Sequence, residues 1–380
     1  KTGDWWTTNP ERALANNSVA YTEKPDAGIF MKEWLSLYES KSGERGIFNR
    51  SSAQAKAAEN GRRDADWDFG TNPCSEIILR PNQFCNLTEI VVRSTDTMTT
   101  LIQKVQIATL LGTIQSTFTN FGYLRKRWQN NTEEERLLGV SLTGIMDSPI
   151  LNGRETGLEK RLESLQEIAV ETNRYWAKKF GINQSTAITC VKPSGTVSQL
   201  VDSASGIHAR HNPYYIRTVR GDNKDPLTEF MIASGIPSEP DYMKPEHTTV
   251  FSFPMKAPTG SVCRNDMTAI EQLELWKTYA QHWCEHKPSV TISVKEEEWV
   301  PVGAWCWENF SHLSGVSFLP FSDHTYQQAP YQDIDKATYE NMAKKMPTSI
   351  DWQKLQDFEK EDNTKGSQEL ACTAGVCELV

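Results

Sequence analysis

The segment Asn72-Pro73-Cys74-Ser75-Glu76 sets an amide, a thiol and a carboxylate at alternate positions. In an extended backbone those three side chains share one face, so an amide, a thiol and a carboxylate are expected to line one wall of a pocket. A plainer reading treats Cys74 as a small buried hydrophobe on a strand. A second thiol, Cys85, follows eleven residues on within Phe84-Cys85-Asn86-Leu87, and a hairpin over this stretch would return it to the depth of Cys74.

Two further groupings carry chemistry. In Cys190-Val191-Lys192-Pro193-Ser194-Gly195-Thr196-Val197-Ser198 an apolar run enters a turn that offers backbone N–H groups and hydroxyls at a helix start, an anion site in character. The glycine spacing of a Walker loop is missing, and an ordinary capped strand-to-helix turn is the competing account. Near the end, Cys372 and Cys377 sit in a polar stretch; a dithiol on a mobile tether suits thiol–disulfide exchange. His282-x-Cys284-x-His286 has metal-ligand spacing on one helix face but no third ligand in sequence, and Trp276 and Trp283 beside it point to ordinary packing, so no metal site is assigned. Cys263 and Cys306 have no partner in sequence and are read as structural. Tyr214-Tyr215 with Arg217 and Arg220 reads as a strand with a basic edge.

Elements able to position these groups are legible in the apolar pattern. Ile29, Phe30, Trp34, Leu35 and Leu37 suggest a short helix, and 71–93 reads as two strands joined at Pro81-Asn82. Helices are expected over 98–124, 158–181 and 266–286, with shorter ones near 300 and 350. Strands are expected over 137–146, 186–191, 214–219, 248–253, 289–294 and 315–319. This alternation argues for an α/β architecture with a largely parallel sheet, open or closed into a barrel.

Composition narrows the class. The 380 residues are 38% hydrophobic, enough for a buried core, and the formal net charge of −9 gives no general field for a nucleic-acid polymer. No apolar run approaches a membrane span and no export signal opens the chain, so a cytoplasmic protein is expected. Eight cysteines are too few for a secreted disulfide framework. The chain opens on Lys1-Thr2-Gly3-Asp4 without methionine, as a processed start or the downstream part of something longer would.

Taken in order, Asn-Pro-Cys-Ser-Glu-Ile, Phe-Cys-Asn-Leu, Lys-Pro-Ser-Gly-Thr-Val-Ser and the terminal Cys-x4-Cys resemble ribonucleotide reductase, and within it the monomeric adenosylcobalamin-dependent ribonucleoside-triphosphate reductases. Arg12–Ala20, Gly43–Arg50, Ser205–Arg210 and Ser314–Pro320 extend the resemblance over essentially the whole chain. It implies the C-terminal part of a ten-stranded α/β barrel: 1–70 as the opening segment and end of the first half-barrel, 71–93 as the cysteine loop, 94–358 as the second half-barrel with its helices, and 359–380 as a flexible redox tail.

The resemblance also implies roles. Cys74 becomes the thiyl radical that removes the 3′-hydrogen of the substrate, Glu76 takes the 3′-hydroxyl proton, and Asn72 holds the ribose hydroxyls. Cys85 is one of two reducing thiols, Cys372 and Cys377 re-reduce the resulting disulfide and pass the oxidation to a thioredoxin-type partner, and Pro193, Ser194, Gly195, Thr196, Val197 and Ser198 bind substrate phosphates. The implied cofactor is adenosylcobalamin, with no contact residues assigned. A class I type chain fed by a separate radical-generating subunit is the alternative; the late strand Gly315–Leu319 lacks that group's tyrosine pair. Only 71 residues precede Asn72 and none is a cysteine, so the partner of Cys85 and most of the first half-barrel are expected in an N-terminal portion of the same enzyme. Cys190 could replace that partner only by leaving its place beside the phosphate turn. The 380 residues alone are then expected not to complete a turnover; a non-catalytic nucleotide-binding or assembly piece of a split reductase is the reading from a different class.

Overall fold

The structure is a computed structural model that describes residues 18–41, 43, 46–321 and 327–359. In chain order the strands are β1 (Ser18–Tyr21), β2 (Gly46–Asn49), β3 (Gly70–Thr71), β4 (Ile78–Leu79), β5 (Asn86–Val91), β6 (Leu138–Thr143), β7 (Tyr214–Asp222), β8 (Ser238–Pro240), β9 (Thr248–Lys256), β10 (Val290–Val294), β11 (Val316–Pro320) and β12 (Tyr331–Asp333). The chain divides into two units, one built from residues within Ala15–Arg210 and Thr259–Phe321, the other from His211–Pro258 and residues after Phe321.

In the first unit the backbone runs through successive parallel neighbours. β5 pairs with β6 from Asn86↔Leu138 to Val91↔Thr143. Val140 bridges Thr189, Val191 bridges Pro288 just ahead of β10, and β10 pairs with β11 from Val290↔Val316 onward. The stretch 186–191 thus serves as the expected strand in extended form, with Ala187, Ile188, Cys190 and Val191 all buried. Beyond β11 the direction reverses: β2 meets it antiparallel at Val316↔Ile47, and β1 runs parallel to β2. Every residue of β6 is buried, as expected for a central strand with both faces covered.

Helices cover this sheet. Met98–Gln115 starts in a capping box between Thr97 and Thr100 and turns Leu101, Val105 and Ala108 inward. Leu158–Phe180 buries Leu162, Leu165 and Ala169, and Ala269–His282 buries Leu273, Trp276 and Tyr279. The expected helix over 98–124 ends early, and a separate helix occupies Lys126–Glu135. Helix Ala27–Ser40 sends Trp34 Nε1 to the carbonyl of Trp299 at 3.0 Å, at the head of helix Trp299–Glu308.

In the second unit β12, β7, β9 and β8 form an antiparallel sheet, with β7 and β9 in register from Tyr214↔Lys256 to Asp222↔Thr248. The parallel arrangement expected from strand and helix alternation therefore holds in the first unit and fails here, where β7 and β9 are joined through helix Pro226–Ala233 and the short β8 rather than by a crossover to a parallel neighbour. Tyr215 lies within this sheet, Arg217 lies over the Tyr331 ring at 4.5 Å, and Arg220 pairs with Asp241 at 2.8 Å.

Candidate active site

The Asn72–Glu76 segment is a tight turn, not a strand. β3 and β4 pair at Gly70↔Leu79 and Thr71↔Ile78, and the residues between them fold back on themselves. The Ser75 amide donates to the Asn72 carbonyl at 2.9 Å, and Ser75 has a φ of 63°. Alternation along an extended backbone is therefore not what gathers the side chains. Turn geometry does so instead: Asn72 Nδ2 donates to Glu76 Oε1 at 2.8 Å, and Asn72 Oδ1 accepts from the Ile77 amide at 3.0 Å.

Glu76 is wholly buried, and a buried carboxylate needs a counter-charge. Lys192 supplies it, with Nζ 2.7 Å from Glu76 Oε1. Burial alone would lower the lysine pKa, but the charge and hydrogen bond of Glu76 outweigh that and hold it above its ordinary value. Both donors fall on Oε1. Glu76 Oε2 is buried and has no hydrogen-bond partner among the described residues. Cys74, two positions away, is partly exposed and lies within electrostatic reach of Lys192.

The turn is fastened through its backbone by residues far away in sequence. The Lys287 amide donates to the Glu76 carbonyl at 3.0 Å, and the Ile78 amide donates to His286 Nδ1 at 3.3 Å. Ser75 packs on Gly315, which has a φ of 89°; a Cβ at Gly315 would stand 2.4 Å from Ser75 Cβ. Only glycine fits there, which gives the Ser314-Gly315-Val316 stretch a physical reason.

Cys85 does not return across a hairpin. The Arg80-Pro81-Asn82-Gln83 reversal exists, with Asn82 at a φ of 63°. It is pinned to helix Lys126–Glu135, where Asn131 Nδ2 donates to the Pro81 and Asn82 carbonyls and Glu135 receives Arg63, Arg80 and Gln83. The chain then enters β5 alongside β6, while β4 stays with β3. Cys85 nonetheless shares the neighbourhood: burial pushes its thiol up, the Arg63 charge opposes this, Glu76 adds to it and Lys192 opposes it. Cys190 is fully buried, and burial with the Glu76 charge raises its thiol well above the usual range.

The anion turn leads into a short helix, Gly195–Leu200, with Ser194 in the left-handed region at a φ of 60°. Gly195, Thr196 and Val197 are exposed, while Ser194 and Ser198 are buried. Ser205 Oγ donates to the Pro193 carbonyl at 2.7 Å, and a Cβ on Gly206 would lie 2.3 Å from the Lys192 carbonyl oxygen. Arg210 closes on the buried Asp147 through Nε and Nη2 at 2.9 and 2.8 Å. The Ser205–Arg210 stretch is thus the clasp that fixes the turn to the sheet.

Sequence reasoning singled out Asn72, Cys74, Glu76 and Cys85, and these four share the neighbourhood of Lys192 and Glu76. It passed over Lys192 as a functional side chain, although a cation closing a buried strand beside an anion turn was the available signal. Glu89 on β5 was also missed; burial raises its pKa, and Ser194, Lys192 and Ser141 oppose the shift. The metal spacing of 282–286 dissolves, because the helix ends at His282, whose Nδ1 is 2.8 Å from Glu163, and His286 lies beyond it on other partners. Cys372 and Cys377 lie outside the described residues. Among the described residues no helix is long and apolar enough to cross a membrane.

No family model matches the chain. Among curated proteins it is 27% identical over 406 aligned residues to the adenosylcobalamin-dependent ribonucleoside-triphosphate reductase of Lactobacillus delbrueckii subsp. bulgaricus, covering 97% of this chain and 53% of that protein. The enzyme of the same name from Euglena gracilis is 28% identical over 358 residues, covering 90% of this chain and 47% of that protein. The chain therefore spans about half the length of the curated relatives it matches. Among solved structures, a B12-dependent class II ribonucleotide reductase superposes with a TM-score of 0.74 at 24% identity, over 96% of this chain and 54% of that one. The class Id α subunit of Actinobacillus ureae superposes with a TM-score of 0.51 at 12% identity, over 78% of this chain and 62% of that one. The fold is thus that of the class II reductase barrel over the part spanned, in agreement with the expected architecture.

Proposed function

We propose that this chain, whose homologues are the adenosylcobalamin-dependent ribonucleoside-triphosphate reductases, carries the site at which a ribonucleotide is reduced to a 2′-deoxyribonucleotide. The observation that supports it most is Glu76: a buried carboxylate with one oxygen clamped by Asn72 and Lys192 and the other without a hydrogen-bond partner among the described residues, two residues from a partly exposed thiol. A carboxylate so held can accept a proton from a substrate hydroxyl without first breaking a bond to the protein.

In this reading Cys74, as a thiyl, removes the 3′-hydrogen atom while Glu76 Oε2 accepts the 3′-hydroxyl proton. The 2′-hydroxyl departs as water. Cys85 and a second thiol supply two electrons and two protons, forming a disulfide, and Cys74 returns the hydrogen atom to C3′. The sum is one ribonucleotide and two thiols giving one deoxyribonucleotide, one disulfide and water. Asn72 orients the ribose hydroxyls, and Pro193 to Ser198 receive the triphosphate, for which the exposed Gly195, Thr196 and Val197 are accessible. Cys372 and Cys377 re-reduce the disulfide and hand the oxidation to a thioredoxin-type reductant.

The group implied as radical source, adenosylcobalamin, fits a partly exposed thiol on a fastened turn, as Cys74 is. When bound it supplies the oxidising equivalent that converts the thiol to a thiyl, while the protein holds that thiol in place. The test is an assay of the complete protein with adenosylcobalamin, a dithiol and a ribonucleoside triphosphate. Deoxyribonucleotide should form, Cys74→Ser should abolish both product and the radical signal, and Cys372→Ser should spare the first turnover. Product formation that survives Cys74→Ser, or that requires a separate metal-bearing subunit, would overturn the reading.

A further inference from the structure

His286 is wholly buried, and the hydrogen bonds it makes among the described residues go to Thr189, Ile78 and Leu138 rather than to the groups assigned to the reaction. Its ring joins two elements: Nδ1 faces the Ile78 amide at 3.3 Å and Nε2 faces the Leu138 carbonyl at 3.0 Å. An amide can only donate and a carbonyl can only accept, so the two contacts require a ring with one proton, carried on Nε2. Ile78 closes the turn that bears Cys74 and Glu76, and Leu138 opens β6. The next residue along, Lys287, holds the Glu76 carbonyl through its amide. The short run His286-Lys287 therefore grips the reactive turn at two points and ties it to the central strand.

We propose that His286 is a positioning residue for the chemistry at Cys74 and Glu76, a single-proton imidazole bracket that fixes the reactive turn against β6. The inference rests on the function proposed above but is separable from it. The surroundings enforce the singly protonated ring: burial, and then the Arg63 charge, lower its pKa to about 3, the Leu138 bond opposes this, and Lys56 adds to the lowering. Protonation of Nδ1 would turn an acceptor into a second donor facing the Ile78 N–H and would break the bracket.

The first measurement is the ¹⁵N imidazole spectrum of the complete protein, with His286 assigned through the His286→Asn variant. The expected result is a proton on Nε2 that stays unchanged between about pH 8 and about pH 5, below the ordinary histidine pKa. A proton on Nδ1, or titration near the ordinary value, overturns the proposal whatever the protein catalyses. The second measurement compares His286→Ala with His286→Asn, whose amide oxygen can still accept from Ile78. For His286→Ala, kcat should fall about 100-fold with KM changed less than about threefold, since a misplacement of about an ångström costs that much. His286→Asn should recover about tenfold of the loss.

Equal losses in the two variants, or a rise in KM with kcat intact, overturn the bracket. If the alanine variant does not fold, the spectrum and the asparagine variant decide. If no ribonucleotide is reduced, the alkylation rate of Cys74 replaces kcat, and it should change severalfold in the alanine variant and be restored by asparagine. A rate unchanged by either substitution overturns the bracket alone, and a changed rate without reduction overturns only the proposed function.

Discussion

The Asn72–Ile77 turn and the Pro193–Ser198 turn face the same substrate in this reading, but they are held in opposite ways. The first is gripped from afar: Lys287 takes the Glu76 carbonyl, His286 takes the Ile78 amide, and Gly315 receives Ser75. The second is gripped from nearby. Ser198 donates to the Ser194 carbonyl at 3.0 Å, Ser203 to the Ser198 carbonyl at 2.9 Å, and Ser205 Oγ to the Pro193 carbonyl at 2.7 Å. A radical step needs its atoms placed against several strands at once, and only long-range braces do that. Phosphate binding needs a local concave run of donors, which a short piece of chain shapes by itself. Lys192 belongs to both, ending the strand that leads into the second turn and pairing with Glu76 in the first.

The contrast breaks most visibly at Gly315. In Gly315→Ala the new methyl would stand 2.4 Å from Ser75 Cβ at a φ of 89°, so the turn must move or the strand must distort. Strain of this kind costs about 1–3 kcal/mol. Because the displaced atoms adjoin Cys74, turnover should fall about 100-fold. Thermal unfolding and steady-state kinetics of the complete protein check the two parts, and a variant with wild-type kcat would show that the turn is not braced there.

A smaller effect is expected on the local side. Ser205→Ala removes the hydroxyl that donates to the Pro193 carbonyl. One such bond contributes about 1 kcal/mol, so KM for the triphosphate should rise about fivefold with kcat nearly unchanged. A fall in kcat larger than the rise in KM would mean that the second turn is coupled to the chemistry and that the two are not held separately.

How much of this is legible in sequence follows the same division. Local elements announce themselves: Leu138–Thr143 lies inside the expected 137–146, Leu158–Phe180 fits 158–181, and β11 falls on the apolar run near 315. The chemistry-bearing residue types at 72, 74, 76 and 85 were also readable. What could not be read is which distant residues hold them. The Pro81-Asn82 reversal is real, but buried Glu135, about fifty residues on in sequence, anchors it and directs the chain away from a hairpin. His282 and His286 share a motif spacing, yet the helix stops between them and each turns to a different partner. His286 carried a metal-ligand spacing and Gly315 lay in a stretch that extended the resemblance, but neither signal pointed to a brace on the reactive turn, because the partners of His286, Lys287 and Gly315 are supplied only by the fold.

Lys287 gives a test read in stability rather than in turnover. Its ammonium is buried, and among the described residues it donates to Ser52 Oγ and to the His312 carbonyl, each at 3.2 Å. Burial, and then the charge of Lys56, lower its pKa from the ordinary value to about 7, with Glu59 and Cys284 opposing. The unfolded chain keeps the ordinary lysine value, so between about pH 7 and about pH 10 it binds more protons than the folded protein. Stability attributable to this group must therefore rise with pH across that window and be least below it, where the buried ammonium is charged in both states. In Lys287→Met the charge is gone while the backbone amide that holds Glu76 remains. The stability difference between wild type and variant should shift in favour of wild type as pH rises from about 7 to about 10. Denaturant unfolding at several pH values measures it, and parallel curves would show that the lysine escapes burial, leaving His286 and Gly315 as the braces whose side chains or lack of one matter.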